Sequence, residues 1–231
     1  MKATVAQLAQ LPGVWRGGEL EHAMQPVIAT GHAALDRELP GGGWPTGTLT
    51  EVLHDAAGIG EVSFLAGALA RASAEDRLIA WIGPPHLPHA PALATADIPL
   101  ERCIVVRPSH REDSLWAAEQ ALRSGACGAV LFWLAHHEYA WLRRLQMAAE
   151  AGRAMAVLFR STAAERLSTP AHLRVALAGV EGMLEVRIPK RRGPPLASPI
   201  RLAIGRSISS KKQPANNLPA LVVAERPRAL A

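Results

Sequence analysis

The chain has 231 residues, of which 49% are hydrophobic, a formal net charge of +5 and only two cysteines. That is enough apolar material for one sizeable core, and Cys103 and Cys127, far apart and each in an apolar setting, exclude a disulfide framework and read as reduced core residues. No apolar run reaches membrane length, and the polar, broken stretch 4–13 lacks the continuous core of a signal peptide, so the sequence implies a cytoplasmic protein with no membrane partner.

The charge is unevenly spread. Residues 187–231 carry ten basic side chains against the single acid Glu225, a local charge of +9, and the rest of the chain is slightly acidic at −4. A basic arm on an acidic body favours a polyanion or an acidic protein surface as partner; the bland alternative is a solubilising tail.

In chain order, residues 3–11 have apolar residues at helical spacing and end at Pro12-Gly13, which predicts a short docking helix. A linker through residue 25 follows. A second short helix is predicted over 33–39, broken by Pro40-Gly41-Gly42-Gly43. Residues 49–53 read as a buried strand, 55–60 as a turn with two glycines, and 62–72 as an apolar helix. Further strands are predicted at 78–82, 103–106, 129–133 and 154–159, separated by helices at 114–124 and 137–152. Continuous apolar strands alternating with amphipathic helices indicate an α/β fold, with a mostly parallel sheet covered on both faces. Past residue 168 the pattern changes: 173–177, 183–188 and 200–204 read as an antiparallel extension of that sheet. The implied division is an N-terminal helix and linker (1–25), a core (26–205) and a flexible basic tail (206–231).

The strand, turn and helix between residues 49 and 72 have the layout of a phosphate-binding loop. In the pattern G-x-x-x-x-G-K-[ST] the backbone amides cradle phosphate, the Lys neutralises charge and the hydroxyl holds Mg²⁺. Here the eight positions read Asp55-Ala56-Ala57-Gly58-Ile59-Gly60-Glu61-Val62. Glu61 stands at the lysine position and Val62 at the hydroxyl position, so an anion replaces a cation. Taken alone, the spacing fits an ordinary βα turn equally well.

The flanks add to it. The phrase Thr30-Gly31-His32-Ala33-Ala34-Leu35-Asp36, then Pro40-Gly41-Gly42-Gly43-Trp44-Pro45-Thr46-Gly47, resembles the entry into the ATPase core of bacterial RecA recombinases. The resemblance implies a RecA-like P-loop NTPase fold. It puts Pro85 where that family has its catalytic Glu, and Trp133, at the end of Gly128-Ala129-Val130-Leu131-Phe132-Trp133, where it has the Walker B acid. Both changes remove the carboxylates that orient water and support the metal. Val186-Arg187-Ile188-Pro189-Lys190-Arg191-Arg192-Gly193-Pro194-Pro195 is similar to a late RecA strand and basic turn. With Gly13-Val14-Trp15-Arg16-Gly17, these phrases resemble more narrowly the ImuA family of RecA-like proteins associated with SOS-induced translesion synthesis and mutagenesis, over residues 13–205. That resemblance implies a non-enzymatic adaptor, a pseudo-ATPase without cofactor. Its implied partners are an ImuB-like inactive Y-family polymerase homologue, an error-prone replicative-type polymerase subunit and RecA, with DNA a weak further candidate. An active ATPase with a divergent loop and a SulA-like cell division inhibitor are the competing readings.

No metal is expected. His86 and His89 sit in a Pro-rich loop, and His136-His137-Glu138 lacks the i, i+4 spacing that puts two imidazoles on one helical face. Most of the six tryptophans, Trp81, Trp116, Trp133 and Trp141 among them, read as core. Trp15 beside Arg16, and Trp44, both in Gly-rich loops, read as partner anchors. The remaining partner-binding candidates are basic or apolar: Lys190, Arg191 and Arg192 on a turn, Lys211 and Lys212 on the tail, and Leu221 and Val222 in a small apolar patch.

Overall fold

The computed structural model describes residues 26–134, 138–194, 196, 198–204 and 222–225. The predicted helix at 3–11 and the candidates Trp15, Arg16, Lys211, Lys212 and Leu221 lie outside the described residues.

Strands β1 (Val27–Ile28) and β2 (Trp44–Pro45) form a small antiparallel pair, and α1 (Ala33–Asp36) lies between them. The main sheet takes β3 (Thr48–Leu53), β4 (Leu78–Ile82), β5 (Cys103–Arg107), β6 (Cys127–Trp133), β7 (Met155–Arg160), β8 (Leu173–Val180), β9 (Met183–Lys190), β10 (Ile200–Leu202) and β11 (Val222–Glu225). Among the described residues its order is β10-β9-β8-β3-β7-β6-β4-β5-β11. Pairings are parallel from β8 through β11 and antiparallel in β8-β9-β10. This is the predicted mixed α/β architecture, consistent with a RecA-like fold.

The strands are buried because both faces are covered. All six residues of β3 and all six of β7 are buried, as expected where helices cover a parallel sheet on both sides. On one face α2 (Ala66–Ala72) and α3 (Ala90–Thr95) belong to a core containing Phe64, Leu65, Leu69, Val52, Trp81, Leu131 and Val157. On the other, α4 (Arg111–Arg123) and α5 (Tyr139–Gly152) contribute Leu115, Leu122, Leu142 and Leu145 against Leu49, Ile82, Val130 and Leu158. Alternation along each strand divides its residues between these two cores.

Three expectations need correction. Trp44 is fully buried, not a solvent-facing anchor: its ring meets Phe64 edge-on at 5.3 Å, and His32 stacks on the same ring at 5.8 Å. The strand pair β1-β2 folds the Gly-rich loop inward and carries Trp44 with it. Trp116, read as core, is 62% exposed; it is displaced by about 100° around α4 from Leu115, whose row faces the sheet. Residues 222–225, assigned to a flexible tail, form β11 beside β5.

Candidate functional site

The phosphate-loop-like turn sits at the carboxyl end of β3, where open α/β sheets bind ligands. Gly58 and Gly60 have φ of +75° and +100°, left-handed values that glycine adopts without strain. Their amides point at one group, the Glu61 carboxylate. Gly58 N donates to Glu61 Oε1 at 3.2 Å and Gly60 N to Oε2 at 3.1 Å. The loop thus makes the anion-binding nest its spacing suggests and fills it with its own side chain. A phosphate reaching these amides would meet a fixed carboxylate, a repulsion of about 4 kcal/mol at 4 Å in an effective dielectric of about 20.

The rest of the loop is tied down on both sides. Ile59, Val62 and Ile204 pack against the edge of the core. A Cβ on Gly60 would lie 3.1 Å from Ile204 Cγ2, so the segment after β10 lies directly against the loop. Asp55, first of the eight positions, accepts hydrogen bonds from Ser161 Oγ at 2.7 Å, from Thr162 N at 3.0 Å and from the Thr162 hydroxyl. These bonds hold its carboxyl below the ordinary value of 3.8, the Thr162 side chain contributing most. The helix predicted from residue 62 begins at Ala66 in α2, after an irregular turn in which Phe64 N bonds Gly60 O at 2.8 Å.

Asp55→Asn tests that tether. Because the folded carboxyl titrates below its ordinary value, its contribution is complete above pH 3.8 and is lost as pH falls through the lowered native value. Wild type should exceed the variant in urea midpoint near neutrality, and the gap should close in strong acid. A gap that persists there would mean that the side chain acts by shape alone.

The two acid positions hold no acid. Pro85 is exposed in the loop after β4. Trp133, last in β6, stacks on Phe159 of β7 at 4.3 Å with rings 3° from parallel, and Trp81 of β4 lies 6.3 Å beyond it. His54, just past β3, meets Phe159 edge-on at 5.8 Å. An aromatic row therefore lines the carboxyl ends of β4, β6 and β7.

Sequence reasoning missed a second polar constellation. Glu51 in β3 is 0% exposed and lies between two buried guanidinium groups: Arg160 Nη1 at 2.6 Å from Oε1 and Arg174 Nε at 2.6 Å from Oε2. Thr169 Oγ1 donates to Oε1 at 2.9 Å, and Arg174 also donates to the carbonyls of Glu165 and Leu167. The adjacent strands β7, β3 and β8 bring the charges together, with Glu51 in register with Arg174. Through Glu165, Leu167 and Thr169 the cluster pins residues 161–172, which connect β7 to β8, against the sheet. Charged residues inside apolar strand runs were the available signal.

The basic turn is more anchored than its composition suggests. Lys190 Nζ donates to Thr169 O at 2.9 Å, and burial, with the Arg174 charge second, pushes its pKa down. Arg191 bonds the Glu38 carbonyl and carboxylate and donates through Nε to Pro194 O at 2.7 Å. Arg192 is exposed. Arg187 forks onto Glu165 at 2.9 and 3.2 Å. Of the tail candidates only Val222 is described, within β11. The structure brings together Asp55, Gly58, Gly60, Glu61, Val62 and Ile204 at the loop, while Lys190 ends β9 and Arg191 and Arg192 follow it. Cys103 and Cys127 are both buried free thiols whose pKa burial raises.

The family model described as "Cell division inhibitor SulA" matches residues 47–156, from the entry to β3 through the start of β7. A cell division inhibitor SulA of Edwardsiella piscicida is 34% identical over 86 residues, covering 37% of this chain and 51% of that protein. Protein RecA 1 of Myxococcus xanthus is 28% identical over 115 residues, 50% of this chain and 33% of that protein. A RecA of Cutibacterium acnes is 30% identical over 118 residues, 51% and 34%. The chain is a distant relative of SulA and RecA proteins. It spans about half the length of the SulA relative and about a third of the RecA relatives. Among the described residues no helix is long and apolar enough to cross a membrane.

Proposed function

We propose that this protein is a non-catalytic, RecA-like adaptor of the ImuA type that acts in SOS-induced translesion synthesis in the cytoplasm. The observation that carries the proposal is the nest of Gly58 and Gly60 amides taken by the Glu61 carboxylate. The aromatic row at Trp133 supports it, because a site that needs a cation, a hydroxyl and two acids has Glu61, Val62, Pro85 and Trp133 instead. Similarity to both SulA and RecA proteins supports a role in the DNA-damage response. A fold that keeps the RecA-like sheet without its phosphate chemistry is suited to presenting surfaces. The proposed partners are an ImuB-like polymerase homologue, RecA and an error-prone polymerase subunit, with DNA a weaker one.

Two measurements test this reading. Calorimetry with Mg²⁺-ATP should give no binding below about 1 mM, and Glu61→Lys alone should not create it, since Val62, Pro85 and Trp133 remain. Micromolar affinity, or turnover abolished by Gly60→Asp, would establish the alternative of an active ATPase with a divergent loop. Affinity capture with the full chain and with a chain ending at residue 205 should retain the polymerase homologue and RecA, the full chain more strongly if the basic arm contributes. The match over residues 47–156 favours a second reading, a SulA-like cell division inhibitor. Suppressed assembly of a tubulin-like division polymer, without capture of either repair partner, would select it.

A further inference from the structure

Leu167 stands in the segment between β7 and β8 and is 55% exposed, one of the few large apolar side chains that face solvent among the described residues. Its backbone is nonetheless held on both sides. Arg174, buried beside Glu51, donates to Leu167 O through Nη1 and Nη2, both at 3.1 Å, and to Glu165 O at 2.8 Å. Leu167 N bonds Ala164 O at 3.0 Å, and Ala164 is itself buried with Leu53 and Ala176. Two residues on, Thr169 donates its hydroxyl to Glu51 and accepts a bond from Lys190 Nζ, each at 2.9 Å. A buried ion cluster thus fixes the main chain and leaves the leucine side chain outside. A side chain whose backbone is already ordered loses little further freedom when it binds.

The surroundings of Leu167 are basic. Arg166 precedes it and is exposed, as are Lys190 at the end of β9 and Arg192 just past it. Among the described residues none of these three forms an ion pair, whereas Arg187 is taken by Glu165, and Glu51 by Arg160 and Arg174. Lys190 spends one of its three N–H donors on Thr169 O, leaving two. Burial, with the Arg192 charge second, lowers the pKa of the nearby His172, and burial, with Arg174 second, lowers that of Lys190. Repulsion between cations contributes to both shifts, so an incoming carboxylate would be favoured. Residues 161–192 contain no Phe, Tyr or Trp on which a nucleobase could stack, and Leu167 is aliphatic. A protein fits this surface better than a nucleic acid does.

We propose that residues 165–169, with the end of β9, form a docking surface for an acidic protein segment: Leu167 enters an apolar contact on the partner, and Arg166, Lys190 and Arg192 meet carboxylates beside it. Covering Leu167 removes its apolar surface from water, and the cations around it speed encounter with an acidic partner. This surface rests on the adaptor reading only in that its occupant is a protein. None of its residues belongs to the 55–62 loop, so nucleotide binding there would sink that reading and leave the result below unchanged.

The test is fluorescence anisotropy with the full chain at low salt and three labelled probes. One is an end-capped peptide of about eight residues, glutamates around a central Leu-Leu pair; the second has Ser-Ser in place of that pair; the third is an oligothymidylate of about 20 nucleotides. The Leu-Leu peptide should bind with a dissociation constant of about 100 µM or below. The Ser-Ser peptide should bind at least about fivefold more weakly. Leu167→Ser should weaken the Leu-Leu peptide by the same factor and leave the Ser-Ser peptide unchanged, which ties the loss to a leucine–leucine contact. Arg166→Gln with Arg192→Gln should weaken both peptides at least about tenfold and flatten their salt dependence. All variants should melt within about 2 °C of wild type, because the altered side chains are exposed. Absence of peptide binding would overturn the proposal, as would a Leu167→Ser chain that binds the Leu-Leu peptide as wild type does. Oligothymidylate bound more tightly than either peptide, and released by the two arginine changes, would make nucleic acid the occupant and overturn it as well.

Discussion

Glu51→Ala is expected to destabilise the protein by about 3–5 kcal/mol, the cost of leaving a buried charge without its partner. The carboxylate is fully buried, and the side chains of Arg160 and Arg174 are 1% and 5% exposed. Both guanidinium groups would remain buried with no counter-charge. In a chain of this length each kcal/mol shifts the melting temperature by roughly 2–4 °C, so the midpoint should fall by about 10 °C. Arg160→Met is the discriminating comparison. It leaves Glu51 paired with Arg174 and Thr169 and should cost distinctly less. Equal losses in the two variants would mean that packing volume, and not charge, is what the cluster supplies.

The central strands were legible because a parallel sheet covered on both faces leaves uninterrupted apolar runs: 78–82 and 103–106 match β4 and β5 closely, and Cys127–Trp133 extends its prediction by two residues. The short pair β1-β2 has no such run, and its two-residue strands exist through the contact of Trp44 with Phe64, twenty positions later. Helix α2 starts four residues beyond its predicted start because Glu61 bends back to the Gly58 and Gly60 amides. The two tryptophan errors have opposite causes. Loop composition says nothing about tertiary cover at Trp44, and on α4 one residue's offset from Leu115 separates exposure from burial.

At the candidate site, what is missing could be read from motif spacing, but what fills the gap could not. The departures at Glu61, Val62, Pro85 and Trp133 are visible because a fixed pattern assigns a role to each position. That the Glu61 side chain folds onto its own loop depends on the left-handed backbone at Gly58 and Gly60. The buried cluster is still less accessible from sequence. Glu51 meets partners 109 and 123 residues away, a pairing created by strand order. The basic turn shows the same limit: composition marks Lys190 and Arg191 as available, but the structure gives each a backbone carbonyl to hold.

Gly128→Ala is expected to destabilise the protein severely. Gly128 lies in β6 under the C-terminal end of α2, and a Cβ built there falls 1.7 Å from the Ala72 carbonyl oxygen and 2.6 Å from its carbon. The obstacle is backbone, so no change of rotamer relieves it; the helix must lift from the sheet. Overpacking a tight core ordinarily costs about 1–3 kcal/mol, and a clash this short between two main-chain segments should exceed that range. The consequence reaches the candidate site, because α2 is the helix that follows the Glu61 loop, and its distance from β6 helps set where the loop lies. Gly179→Ala is the matched control: its Cβ would meet Ile59 Cγ2 at 3.5 Å, an ordinary contact. The control should melt within about 1 kcal/mol of wild type, whereas Gly128→Ala should melt at least about 8 °C lower or fail to accumulate in folded form. A Gly128→Ala chain that melts with wild type would mean that α2 does not approach β6 this closely.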